Sequence, residues 1–186
     1  MKIKKVSALC LAAMLCLPIL SACGKAQTPQ KANEHEFLLD NITSLTISYD
    51  EENISFYESD NNTLVIKEYM TENKRDYYAR VSESGGSIKI SEGGKPLRKS
   101  GFTRYVEVYL PVNYSQSLTV TSTNGNINLS NMDLNLSRPH IDNTSGAVTV
   151  DNVAASEVHL SSTSGILPVD RSQADAVRLD PTRGNI

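Results

Sequence analysis

Residues 121–129 read TSTNGNINL, and the same frame returns as DNTSGAVTV at 142–150 and SSTSGILPV at 161–169, then begins again as DPTRGNI at 180–186. The glycines of this frame, Gly125, Gly146, Gly165 and Gly184, are separated by 21, 19 and 19 residues. A threonine stands two places before each of them, at Thr123, Thr144, Thr163 and Thr182. Aliphatics follow at plus two and plus four: Ile127 and Leu129, Val148 and Val150, Leu167 and Val169, with Ile186 ending the chain. Between the glycines a second alternating pair recurs as Leu118 and Val120, Leu134 and Leu136, Val158 and Leu160, Val177 and Leu179.

Self-similarity at a period of about 20 residues, with two short strands per period, predicts a solenoid whose rungs bury their inward aliphatics against one another. Glycine is expected there because it takes φ > 0 at a tight corner. The threonines are expected to stack in extended backbone along the ladder. On this reading all eight residues of the frame are structural. Pro168 strains it, because it sits between Leu167 and Val169 and has no N–H for the ladder; a local defect is expected there. The chain stops just inside its fourth repeat without an evident polar cap. Residues beyond it, or a covering partner, are therefore expected.

Upstream the period-two alternation continues in SLTISYD, ISFYES, TLVIKEY, GSIKIS and YVEVYLP, separated by turn-forming DEEN at 50–53 and SDNN at 59–62. No long amphipathic helical pattern occurs after the leader. The fold class is therefore all-β, with residues 37–111 as N-terminal rungs or a cap and 112–186 as the regular repeats; one continuous solenoid is the expected arrangement.

The N-terminus has three lysines in MKIKK and then an apolar run too short for an ordinary membrane span, which marks 1–22 as a secretion signal. It ends in LSAC, so the stretch resembles a bacterial lipobox, and that resemblance implies cleavage before Cys23 and lipidation of its thiol. Cys10 and Cys16 leave with the signal, so no disulfide is expected. Residues 23–36 are polar and without periodicity and read as a flexible tether. Residues 37–186 then form a single domain at the extracytoplasmic side of the cell membrane.

Removing Lys2, Lys4 and Lys5 from the 18 basic residues leaves 15 against 21 acidic ones, a mature charge near −6. That excludes nucleic-acid binding by net charge. One local exception is KPLRKSGFTR at 95–104, where Lys95, Arg98, Lys99 and Arg104 have no carboxylate between them; it reads as a solvated loop, with anionic headgroups or wall polymers as its other use.

YVEVYLPVNYSQSLTVTSTNGNINL, a strand ending in Leu-Pro followed by the first Thr-x-Gly rung, resembles the bacterial putative-adhesin domain family, and so do the repeats after it. The resemblance implies a right-handed β-solenoid or β-helix-like fold in a cell-envelope protein, some members being lipid-anchored and some tied to envelope stress. It transfers no catalytic residue.

The residues themselves point the same way. There is no Gly-x-Ser-x-Gly, and no cysteine remains for a thiol mechanism. His35 lies in the tether; His140 and His159 sit in different local patterns and are read as surface residues, since zinc needs three or four ligands. Asp151 and Asp170 each follow their glycine by five residues, so stacking brings them about 4.8 Å apart, a spacing that suits Ca²⁺. They are read instead as turn-starting residues, because the repeats lack the Gly-Gly-x-Gly-x-Asp pattern. No metal and no cofactor is expected. The function expected is that of a non-enzymatic, lipid-anchored envelope protein presenting its repeats to a wall polymer or an envelope protein. An accessory component of envelope-stress signalling and a β-helix enzyme acting on acidic polysaccharide are the alternatives.

Overall fold

The computed structural model describes residues 27–98, 100–130, 132–166, 168–170 and 173–181. Cys23, Thr182 and Gly184 lie outside them, as do the leader and Leu167. Among the described residues the chain is all-β, with one short 3-10 turn at Arg75–Tyr77 and no α-helix.

Two sheets carry the strands, numbered here in chain order. In the first, the neighbours run β1 (Gln30–Leu38), β4 (Thr63–Met70), β7 (Arg104–Pro111), β3 (Asn53–Ser59), β9 (Ile127–Leu129), β12 (Val148–Asp151) and β14 (Val169–Asp170). In the second they run β5 (Arg80–Ser84), β6 (Ser87–Ser91), β2 (Ser44–Ser48), β8 (Ser117–Ser122), β11 (Arg138–Asn143) and β13 (Val153–Ser162); β10 (Leu134–Leu136) and β15 (Gln173–Pro181) also pair with β13. From β6 and β7 onward every ladder is parallel, while β1, β4 and β5 add antiparallel strands at one end.

Parallel in-register stacking turns the alternation of each strand into columns. Ile90, Ile47, Val120, Ile141 and Leu160 are successive register partners in the second sheet. Val106, Ile54, Ile127 and Val148 form the matching column in the first. All are at most 1 % exposed and belong to one hydrophobic cluster fed by both sheets. Burying each such side chain contributes about 1.5–3 kcal/mol, so the stack is held by repetition of the same contact.

The strand pairs do not stack in chain order. β2 and β3, the first pair formed along the chain, lie between β6–β7 on one side and β8–β9 on the other. A solenoid wound rung after rung would have put β7 beside β9.

Three local expectations change. Gln30–Glu36 are part of β1, not of a tether: the strand pairs antiparallel with β4, and Asn33 donates to Glu68 Oε2 at 2.8 Å. Its alternation escapes a hydrophobicity scan because two of its inward residues, Asn33 and His35, are polar, while the charged outward Glu34 and Glu36 blunt an exposed edge. Second, the partners of Leu118 and Val120 are Pro139 and Ile141, not Leu134 and Leu136, which pair with Val153 and Ala155. The positions 118, 139, 158 and 177 repeat the glycine spacing of 21, 19 and 19; an inward proline had hidden the match. Third, Pro168 is exposed, its carbonyl accepts the Val150 N–H at 3.1 Å, and β14 begins only after it.

Candidate functional site

At the corner between the second and first sheets, Gly125, Gly146 and Gly165 form a buried column. Their φ angles are not positive, which corrects the turn reading; positive-φ glycines among the described residues are Gly85, Gly86 and Gly101. The reason for glycine is proximity. A Cβ on Gly146 would lie 2.0 Å from the Gly125 carbonyl oxygen, and one on Gly165 would lie 2.0 Å from that of Gly146. Thr123, Thr144 and Thr163 are exposed at the corner rather than extended in a strand, and the ladder passes through their backbone, as in Thr144 N–H to the Ser122 carbonyl at 3.1 Å.

Three places before each glycine lies a buried polar side chain that the sequence reading passed over: Ser122, Asn143 and Ser162. Each accepts the N–H of its glycine, at 3.0, 3.2 and 2.8 Å. The Asn143 amide also donates to the Gly125 carbonyl at 2.8 Å, joining two rungs.

Following the register upward, Tyr49 occupies the place of Ser122 and Glu52 that of Gly125; one rung further stand Glu92 and Arg104. The glycine column thus ends in buried charge. Arg104 donates to Glu52 Oε1 through Nε at 3.2 Å and Nη2 at 2.9 Å, and to the Tyr77 carbonyl through Nη1 at 2.6 Å; Nη2 also bonds Glu92. Lys95 Nζ lies 2.8 Å from Glu92 Oε1 and 3.4 Å from Glu52 Oε1. Beside them Glu68, 0 % exposed, accepts from Tyr49 Oη at 3.1 Å and from the Ala79 N–H at 2.8 Å.

Burial, then the charge of Glu68, holds the Tyr49 hydroxyl proton well above the usual phenol range. Burial also raises the Glu92 carboxyl, against the pull of Lys95 and Arg104. For Lys95 burial works downward, but the hydrogen bond to Glu92 and the charge of Glu52 outweigh it and the ammonium is held above its ordinary value. Among the described residues every buried side-chain nitrogen and oxygen has a hydrogen-bond partner. These carboxylates have their lone pairs committed to cations and N–H groups, which suits a structural clamp.

The basic segment is thereby divided: Lys95 and Arg104 point into the clamp, while Arg98 is exposed and Lys99 lies outside the described residues. Asp151 and Asp170 are register partners, and Asn152 after the first has φ 54°, a left-handed turn position. His140 and His159, read as separate, are register partners on adjacent strands with ring centroids 4.5 Å apart. Among the described residues no group of three His, Cys, Asp or Glu side chains is placed to hold a metal. A groove of about 400 Å³ opens beside the corner, lined by hydroxyls and carboxylates of Ser48, Asp50, Ser91, Thr121, Thr123 and Asp142.

A family model described as Toastrack DUF4097 matches residues 42–186, which takes in the clamp and every described strand except β1. The chain belongs to the Toastrack DUF4097 family. Among solved structures, the chain is similar to a putative cell adhesion protein from Clostridium sporogenes, 10% identical, covering 85% of this chain and 97% of that one with a TM-score of 0.57. A putative adhesin from Parabacteroides distasonis is 11% identical over 82% of this chain and 76% of its own, with a TM-score of 0.47. One from Bacteroides fragilis is 11% identical over 83% and 96%, with a TM-score of 0.35. No curated protein matches the chain. For this Toastrack domain the first of these structures supports the fold alone, given the low identity.

Proposed function

We propose that this Toastrack chain is a non-enzymatic, lipid-anchored envelope protein whose domain presents a repetitive β surface for adhesion or for contact with another envelope component. Cys23 carries the lipid, residues after it reach the domain at Gln30, and the domain faces the extracytoplasmic side. From β8 onward, where the rungs follow one another in chain order, they wind right-handed, as the resemblance of Tyr105–Leu129 implies. The observation that carries the reading is the division of polar groups. The buried charged side chains Glu52 and Arg104, with Glu92 and Lys95, are bonded to one another in the clamp, whereas the corners of the three described repeats turn Thr, Asn and Ser outward. The Clostridium sporogenes structure that shares the fold is named a putative cell adhesion protein, and the reading is in keeping with that name.

The test is expression of the full chain and of Cys23→Ala in a bacterium with a lipoprotein pathway, with an alkyne fatty acid as label. The reading expects label and membrane retention in the parent and neither in the variant. Equal membrane retention of an unlabelled variant would reject the anchor; turnover of a wall polysaccharide by the purified chain would reject the non-enzymatic role.

A further inference from the structure

We infer that the outer face of the first sheet, across β4, β7, β3 and β9, binds a neutral, hydroxyl-rich glycan chain. The inference deepens the reading above and rests on it for the setting in which such a chain is met.

Tyr57, Tyr69, Tyr105 and Tyr109 all point outward on three neighbouring strands and are partly exposed. They form two stacks: Tyr69 with Tyr105, centroids 4.6 Å apart and planes within 7°, and Tyr57 with Tyr109, 5.3 Å apart at 28°. Half of the chain's 8 tyrosines are therefore on one outer face, in a protein without tryptophan. Between the stacks Lys67 and Glu107 are register partners; Lys67 Nζ lies 4.1 Å from the Tyr109 ring centroid, and Tyr109 Oη donates to Glu107 Oε2 at 3.0 Å. These contacts fix the rings before any ligand arrives, which lowers the ordering cost of binding.

Beyond the rings the face drops to small polar residues. Ser55, Asn128 and Thr149 are successive register partners, and Tyr105 is followed across the ladder by Asn53. The result is an aromatic wall beside a floor of amides and hydroxyls. A pyranose offers the matching pair of surfaces: its C–H face meets the negative face of a tyrosine ring, and its equatorial hydroxyls reach donors and acceptors on the floor. Charge selects the neutral class. Lys67 is offset by Glu107 on one side and Glu34 on the other, so no positive field draws a polyanion here. Among the described residues the face carries Val65 as its aliphatic and Lys67 as its cation, too little of either for a bilayer.

The test is affinity electrophoresis of the full chain in detergent, in gels holding hydroxyethyl cellulose, galactomannan or laminarin, with polygalacturonate as the anionic comparison. Titration with chito-oligosaccharides, read by tyrosine emission, runs beside it. Saturable retardation by at least one neutral polymer is expected, weakened roughly tenfold or more by Tyr57→Ala and by Tyr105→Ala. Ser55→Arg, which fills the floor and leaves the wall intact, is expected to weaken it as well. Unchanged urea midpoints establish that the variants fold. Retardation by none of the neutral probes, by polygalacturonate alone, or to the same extent in all three variants would overturn the inference. Binding of parent and variants to isolated envelopes separates the two readings: equal binding with no polysaccharide retardation removes the glycan face and leaves the envelope role, whereas retardation by neutral polymers without membrane retention does the reverse.

Discussion

A β-carbon placed on Gly125 would stand 1.8 Å from the carbonyl oxygen of Glu52, the residue that fills the glycine's own position one rung away. The contact is with backbone, so the neighbour cannot rotate aside. Gly125→Ala and Gly146→Ala are each expected to destabilise the domain by about 3 kcal/mol or more, at the upper end of overpacking costs. Gly101→Ala, where φ is 82° and the surroundings are open, is expected to cost only about 1 kcal/mol from left-handed strain. Urea midpoints of the three variants check the ranking; equal losses would contradict it.

Asn143 serves two rungs at once, accepting from Gly146 and donating to Gly125, and is 0 % exposed. Asn143→Ala leaves a buried N–H and a buried carbonyl without partners, at about 1–3 kcal/mol for each group. Ser122→Ala leaves only the Gly125 N–H and is expected to cost about half as much. Chemical denaturation distinguishes them, and native-state hydrogen exchange should show faster exchange at the Gly146 amide in the first variant.

Glu52 and Glu92 share two counter-ions, Lys95 and the more deeply buried Arg104. Removing one partner of a buried pair costs about 3–5 kcal/mol, and Arg104→Met should reach that range at neutral pH. Burial already raises the Glu92 carboxyl against the pull of Arg104, and without the guanidinium it is raised further. A raised carboxyl binds its proton more tightly in the folded state, so folding gains as pH falls through that value. The gap between Arg104→Met and the parent is therefore expected to shrink between pH 7 and pH 4. A gap independent of pH would mean that the loss is one of packing.

Tyr69, Tyr109 and Tyr114 have their phenol values pushed up to about 12, chiefly by burial, and Tyr49 is raised as well. Unfolded tyrosines ionise near 10. The folded state then holds more protons than the unfolded one between those values, and stability falls as pH rises above about 10. Without tryptophan, absorbance at the tyrosinate band follows this directly. Ionisation of these four tyrosines together with loss of the far-ultraviolet strand signal is expected; their titration near 10 with the sheets intact would refute it.

The strands were legible because period-two alternation is local: Leu45 and Ile47 on one face, Val106, Val108 and Leu110 on another, each bounded by turn residues or proline. The corner was legible through the spacing of its glycines, although the cause was backbone approach and not φ. The clamp was not legible, since Glu52 and Arg104 are brought together only by the insertion of β2 and β3 between later strands. A trace of it exists: Tyr49-x-x-Glu52 keeps the spacing of Ser122-x-x-Gly125 and Asn143-x-x-Gly146. Opposite charge in the glycine's place becomes meaningful only once the frame is extended to that segment. The tyrosine wall was half visible, as Tyr105 and Tyr109 alternate with inward valines, but Tyr57 and Tyr69 join it through register that no single strand encodes.

The central claim is the order of the stack, because it places Glu52 between Arg104 and Gly125 and so creates the clamp, the corner and the wall. Methyl-methyl nuclear Overhauser spectra of an Ile- and Val-labelled sample test it most directly. The account predicts that Ile54 shows cross-peaks to both Val106 and Ile127, with none between Val106 and Ile127. A direct Val106–Ile127 cross-peak, with Ile54 touching only one of them, would mean that the rungs follow chain order and would contradict it.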